Sequence, residues 1–230
     1  MSPLRCLPVL LALILPGCII HIGGDGDWDS NWGHSPVLQG SGVRGTQQRT
    51  PGEFKRVRAS TMGEVHVVVG AAPQVEVSCD DNLLEHIRTR VVDGELVIEG
   101  DGESMAFRQS VRVEIGCAAL EGATLSGCGA LKIEGLKGES FEASLSGSGD
   151  LSARGEAQRA SLSLTGSGDL DCRELVAEEA QVSLSGSGDV RVQARARLSV
   201  SLSGSGGVRY SGTPAQVTRS VAGSGTIARE

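Results

Sequence analysis

The sequence predicts an all-β protein, a parallel β-helix (β-solenoid) with about 19–20 residues per coil, preceded by a β-rich N-terminal segment with one short helix. Three observations lead there. The phrase "SLSGSGD" at Ser144–Asp150 returns as "LTGSGDL" at Leu164–Leu170, "LSGSGDV" at Leu184–Val190 and "LSGSGGV" at Leu202–Val208. On both sides of each phrase, apolar and polar residues alternate with the period of a β-strand. Aromatic residues make up only 3% of the 230 residues against 33 glycines, so a core has to be assembled from aliphatic side chains in many thin layers.

The chain opens with a segment that is not part of that fold. Arg5 and the terminal amine precede the apolar run "LPVLLALILP" at Leu7–Pro16, which is too short to span a hydrocarbon layer of about 30 Å as a helix and reads as a signal peptide over residues 1–17. It ends in Leu15-Pro16-Gly17-Cys18, similar to the lipobox of bacterial lipoproteins. There the cysteine thiol is acylated, and Cys18 is the expected lipid anchor to the membrane. An ordinary secretory signal is the alternative, since Pro16 occupies a place that usually holds a small residue. Ile19 is not the aspartate that marks inner-membrane retention, which points to an outer-membrane lipoprotein on the periplasmic face or the cell surface. Residues 18–50, rich in Gly, Asp, Ser and Asn without apolar periodicity, read as a flexible tether.

The folded part is expected over residues 51–230. "EVHVVVG" at Glu64–Gly70, "QVEVSC" at Gln74–Cys79, "ELVIEG" at Glu95–Gly100 and "SVRVEIG" at Ser110–Gly116 are strand-like runs bounded by Gly, Pro or Asp. "DDNLLEHIR" at Asp80–Arg88 is the one helical stretch, with Asp80, Asp81 or Asn82 as N-cap.

Regular coils begin at about residue 120. The first glycines of the phrases, Gly127, Gly147, Gly166, Gly186, Gly204 and Gly223, are spaced by 20, 19, 20, 18 and 19 residues. Before each phrase the inward positions are Phe141, Ala143, Leu145 in one coil and Ala160, Leu162, Leu164 in the next. After it they are pairs such as Leu151 with Ala153 and Val190 with Val192. A third side carries Leu136, Ala157, Leu175 and Ala196. Two strands therefore meet at a glycine corner, where positive φ and a close approach of stacked backbone both exclude larger residues. A Gly-Ser linker has no reason to keep leucines in phase with its glycines, which leaves an antiparallel barrel or sandwich as the structural rival. In the last coil Arg219 stands between Val217 and Val221 at an inward position, and reads as part of a polar cap.

The lipoprotein signal, the N-terminal "DNLLEHIRTRVVDGELVIEG" and the repeated "SGSGD" coils together resemble the bacterial family of auto-transporter adhesins with a head GIN domain, over about Phe54 to Ile227. The resemblance implies a β-helical envelope protein and brings no catalytic residues with it.

Few residues here are equipped for chemistry. His21, His34, His66 and His86 have no metal-binding spacing, and no nucleophile elbow or Ser-His-Asp set is present. The net charge of -7 and the lack of a basic run exclude nucleic acid as a partner. Asp150, Asp169 and Asp189 follow the second glycine of three successive phrases and stack into a column, either solvated or holding Ca²⁺ weakly. No other cofactor or metal is expected. Among the cysteines, Cys79 and Cys117 end strands in inward phase and are the expected disulfide. The sequence thus points to a non-enzymatic envelope lipoprotein whose solenoid displays polar faces to a glycan, a protein partner or another copy of itself. The rival readings are a polysaccharide-active β-helix enzyme and a periplasmic scaffold.

Overall fold

The structure, a computed structural model, describes residues 37–60 and 63–230. The expected signal peptide, Cys18 and the first part of the tether lie outside the described residues. The strands are β1 (Leu38–Gln39), β2 (Arg44–Arg49), β3 (Arg56–Ser60), β4 (Glu64–Val69), β5 (Gln74–Asp80), β6 (Ile87–Val92), β7 (Glu95–Gly100), β8 (Met105–Ala106) and β9 (Arg112–Cys117). They continue as β10 (Gly122–Gly127), β11 (Ala130–Gly147), β12 (Asp150–Gly166), β13 (Asp169–Gly186), β14 (Asp189–Gly204), β15 (Gly207–Ser211), β16 (Gln216–Gly223) and β17 (Thr226–Arg229). A short 3-10 helix of about two turns, Asp81–His86, lies between β5 and β6.

The C-terminal half is a parallel solenoid of about five turns over residues 122–229. Each of β11 to β14 bends round the coil and belongs to two sides. One side runs β6-β7-β3-β10-β11-β12-β13-β14-β16, and the other runs β2-β5-β9-β4-β11-β12-β13-β14-β15-β17. Every pairing between successive coils from β10 to β17 is parallel, with register slips confined to the stretch between the two sides, which excludes the sandwich and the antiparallel barrel. Leu145 lies beside Leu164, Leu164 beside Leu184, and Leu184 beside Leu202. These leucines and the alternate residues before and after each corner are at most 4% exposed from Phe141 to Leu202, so the interior is a set of aliphatic columns. Such burial, roughly 25 cal/mol per Å² of apolar surface, is the main term opposing the entropy of ordering the coils.

The corners show why the phrase repeats. Gly127, Gly147, Gly166, Gly186, Gly204 and Gly223 have φ between 112° and 136°, a region open to glycine alone. The carbonyls of the first five accept N–H bonds from the next coil: Gly147 O takes Ser167 N at 2.9 Å and Gly168 N at 3.2 Å. Main-chain N–H groups of the serine and second glycine thus tie each of these corners to the one before it.

Two readings along the chain change. The tether was expected to reach Thr50, yet Arg44–Arg49 forms β2, antiparallel to β5. Its sequence, "RGTQQR", has no apolar alternation because its side chains are mostly exposed; the apolar face of β5 and the unpaired β5 edge make the strand. The third inward position of the fourth coil is Ala194, not Ala196. That coil is short, and its register slips between Cys172 and Val176 and again between Ala177 and Glu179, bringing Ala194 under Ala177.

The N-terminal part continues the parallel pairing through β3, β4, β7 and β9 and adds the antiparallel strands β2, β5 and β6. β6 and β7 form a hairpin whose turn residues Asp93 and Gly94 both have positive φ, 52° and 75°, as a two-residue Asp-Gly turn requires. The expected helix stops at His86, and Ile87 onward is strand. Asp80 stands at its N-cap but makes no cap bond with its side chain. The fully buried carboxylate accepts instead from the main-chain N–H of Gly42, at 2.7 Å, and of Arg108 and Gln109, both at 2.9 Å. One side chain thereby ties the loop before β2 to the loop before β9.

Candidate functional site

Period-two alternation sends every second side chain outward, and in-register stacking collects these into columns at about 4.8 Å per coil. On the side preceding the corners the outward columns are mostly hydroxyls: Thr124, Ser144, Ser163, Ser183, Ser201 and Ser220 form one of them. On the side after the corners one column is charged except for a serine, with His66, Lys132, Ser152, Asp171, Arg191 and Arg209 in successive coils.

The hydroxyl side ends in a groove of about 600 Å³, within the range of small-ligand sites. One of its lining columns is Ser140, Arg159, Glu179 and Arg197, contributed by four successive coils. Its far wall is Arg56 with Glu142, Ser161, Gln181 and Ser199, while Phe141, Ala160 and Ala180 form the floor. Arg56 bonds Glu142 at 2.6 Å, and this bond holds the guanidinium above its ordinary pKa. Arg197 bonds Glu179 at 2.9 Å and Gln216 at 3.1 Å. Arg159 also lines the groove, and alone of the three arginines it makes no ion pair among the described residues, which leaves its guanidinium uncommitted to a carboxylate. No sequence motif marks this groove. Its residues lie 19 or so apart and become neighbours only once the coil register is known.

A second concavity of about 550 Å³ lies at the N-terminal end, floored by Phe54, Pro73, Cys117 and Ala118 and rimmed by Lys55 and Asp93. It is the more apolar of the two.

The residues singled out by the sequence are placed as follows. Asp150, Asp169 and Asp189 do stack side by side, with Asp189 3.7 Å from Arg209. Among the described residues no three His, Cys, Asp or Glu side chains come together as a metal-holding group. The Cys79–Cys117 disulfide is corrected: both thiols are free and buried. β5 and β9 are antiparallel with Gln74 opposite Gly116 and Ser78 opposite Arg112, which puts the two cysteines at opposite ends of the pair. Six residue steps, about 20 Å, separate them, far beyond the roughly 7 Å that a disulfide bridges. Inward phase predicted burial correctly and proximity wrongly, because it carries no information on strand direction. Burial pushes both thiols up to about 11, and the wholly enclosed Cys172 higher still. His86 Nδ1 donates to the Asp101 carboxylate at 2.8 Å, tying the 3-10 helix to the segment after β7, and His66 lies 2.8 Å from Glu114, joining β4 to β9.

Comparison with known proteins agrees with this geometry. The family described as "Putative auto-transporter adhesin, head GIN domain" matches residues 53–214. No curated protein matches. Among solved structures, a putative adhesin from Bacteroides fragilis shares 23% identity, with a TM-score of 0.70 over 84% of this chain and 100% of that one. A putative adhesin from Parabacteroides merdae is similar at 20% identity and a TM-score of 0.57, over 84% of this chain and 99% of that one. A protein titled a putative lipid binding protein from Parabacteroides distasonis has 20% identity and a TM-score of 0.53, over 85% and 100% of the two chains. These likenesses establish a shared fold.

Proposed function

The chain belongs to the head GIN domain family of auto-transporter adhesins, and from that premise we propose that it is a non-enzymatic binding module of the bacterial cell envelope. Acylated Cys18 holds it to the outer membrane, and residues 19–36 and the adjoining loop space the solenoid from the lipid. The solenoid offers its groove to a glycan or to a peptide segment of a protein partner.

The observation that carries this reading is Arg159, a guanidinium without an ion-pair partner among the described residues, set in a groove otherwise lined by hydroxyl, amide and paired charged groups. Such a lining suits sugar hydroxyls and a carboxylate, which a planar fork binds bidentately. Hydrolysis is a poorer fit. A glycosidase needs two carboxylates flanking the scissile bond, one of them free to hold a proton. The three carboxylates of the groove, Glu121, Glu142 and Glu179, are each already engaged in an ion pair, with Lys55, Arg56 and Arg197. The one phenylalanine of the groove is floor, 2% exposed, and offers no platform for stacking a sugar ring.

A glycan array probed with the wild-type protein and with Arg159→Ala, run beside a hydrolysis assay on each glycan bound, tests the proposal. Binding that Arg159→Ala weakens at least about tenfold, without turnover, supports it. Turnover of a bound glycan, or binding indifferent to Arg159, overturns it. Protease shaving of intact cells reads the orientation, and loss of acyl labelling in Cys18→Ser tests the anchor.

A further inference from the structure

The two ends of the stack are finished differently. At the N-terminal end both edge strands are antiparallel to their neighbours and carry arginines: Arg44 and Arg49 on β2, Arg88 and Arg90 on β6. At the C-terminal end β16 and β17 are simply one more coil, parallel to β14 and β15, and their outer edges pair with no other strand among the described residues.

All eight residues of β16 are exposed. Its inward residues Val217, Arg219 and Val221 lie beside Leu198, Val200 and Leu202, whose exposures are 0%, 2% and 1%. Val217 and Val221 are themselves 36% and 48% exposed. The inner columns therefore open to water at this end, with a cation in the middle one. Arg219 is also held in place. Its Nη2 donates to Tyr210 Oη, and its guanidinium carbon stands 5.3 Å from the Tyr210 ring centroid. Tyr210 comes from β15 on the other side of the coil and is 5% exposed, so the contact spans the interior of the last turn.

An unpaired edge with apolar inward residues is a template for another strand. The strand that fits it best is a second β16. Two copies paired antiparallel about residue 219 set Val217 against the second copy's Val221 and Val221 against its Val217, so that one interior continues into the other. The contact is isologous, and it closes at two because the far ends are finished by antiparallel strands. The same register puts the two Arg219 side chains directly opposite one another, about 5 Å apart at Cβ, where like charges repel. We propose that the C-terminal edge is a latent self-association surface for a second copy of this chain, held shut by Arg219. Tyr210 keeps the guanidinium over the interior, where it blocks that register, instead of letting it swing aside into solvent.

Sedimentation of the mature chain, residues 18–230 carrying Cys18→Ser so that no lipid is attached, tests this. Wild type is expected to sediment as a monomer at micromolar concentration. Arg219→Val is expected to dimerise on the order of 100-fold more tightly, since juxtaposed like charges cost several kcal/mol of association. Arg219→Lys, which keeps the charge, stays monomeric, and adding Val221→Lys to Arg219→Val restores the monomer. If circular dichroism shows Arg219→Val unfolded, Arg219→Ala takes its place, because it clears the same register. Folded Val and Ala variants that remain as monomeric as wild type overturn the proposal. So does a wild type that dimerises as tightly as they do.

Discussion

A Cβ placed on Gly166 would stand 2.2 Å from the carbonyl oxygen of Gly147 in the preceding coil. That oxygen is not free to move, since it already accepts the N–H groups of Ser167 and Gly168. Gly166 also has φ 129°. Gly166→Ala therefore meets two penalties, a backbone strain of about 1–3 kcal/mol and a steric clash on top of it. Chemical denaturation is expected to show a loss of at least about 3 kcal/mol, or no folded protein.

The inner and outer positions of one strand should respond oppositely to truncation. Leu164, 1% exposed, sits between Leu145 and Leu184, and Leu164→Ala is expected to cost about 2–5 kcal/mol. Ser163, its neighbour in sequence, points outward, and Ser163→Ala should change stability by less than about 0.5 kcal/mol. The same denaturation experiment reads both.

Asp80 makes acid the weak flank of the N-terminal part. Loss of solvent pushes its carboxyl pKa up, but the N–H bonds from Gln109, Gly42 and Arg108 together pull harder, and the net shift is downward. Asp101 is lowered through its bond to His86 and Asp171 through its bond to Arg173. A group depressed in the folded state stabilises it above the unfolded pKa, about 3.9 for aspartate, and loses that contribution as pH falls through the folded value. The melting temperature is therefore expected to be level from pH 7 to 5 and to drop below about pH 4. Asp80→Asn should melt lower at pH 7 and show a shallower fall in acid.

The thiols give the opposite sign at the alkaline end. Cys79 and Cys117, raised by burial to about 11, favour the folded state below the unfolded thiol value, about 8.5, and lose that effect as pH climbs through 11. At pH 8 a thiol reagent should label Cys128 quickly and spare Cys79, Cys117 and Cys172 until denaturant is added. A Cys79–Cys117 cross-link found in the native protein by mass spectrometry would contradict the strand directions given above.

Much of this fold is written at short range. The interval between glycines and the alternation of Ala160, Leu162 and Leu164 specify coils, corners and inward columns, because both depend only on neighbours within one strand. What was not legible depends on partners distant in sequence. β2 exists because β5 offers an edge, Ala194 replaces Ala196 because one coil is short, and the cysteines part company because β5 and β9 run in opposite directions. The groove belongs to the same class: Arg197 finds Glu179 across one coil, and Arg56 finds Glu142 across two strands. Charged residues at such spacing look unrelated until the register relates them.

The parallel, in-register stack on which all of this rests is tested most directly by distances between spin labels on one outward column. In a Cys128→Ser background, cysteines introduced in pairs from Ser144, Ser163, Ser183, Ser201 and Ser220 can be labelled and measured by pulsed electron resonance. Separations should grow by one coil step at a time, reaching about 19 Å of backbone separation between positions 144 and 220. A separation that does not grow step by step along the column, or that places 144 nearer to 220 than to 183, would contradict the stack.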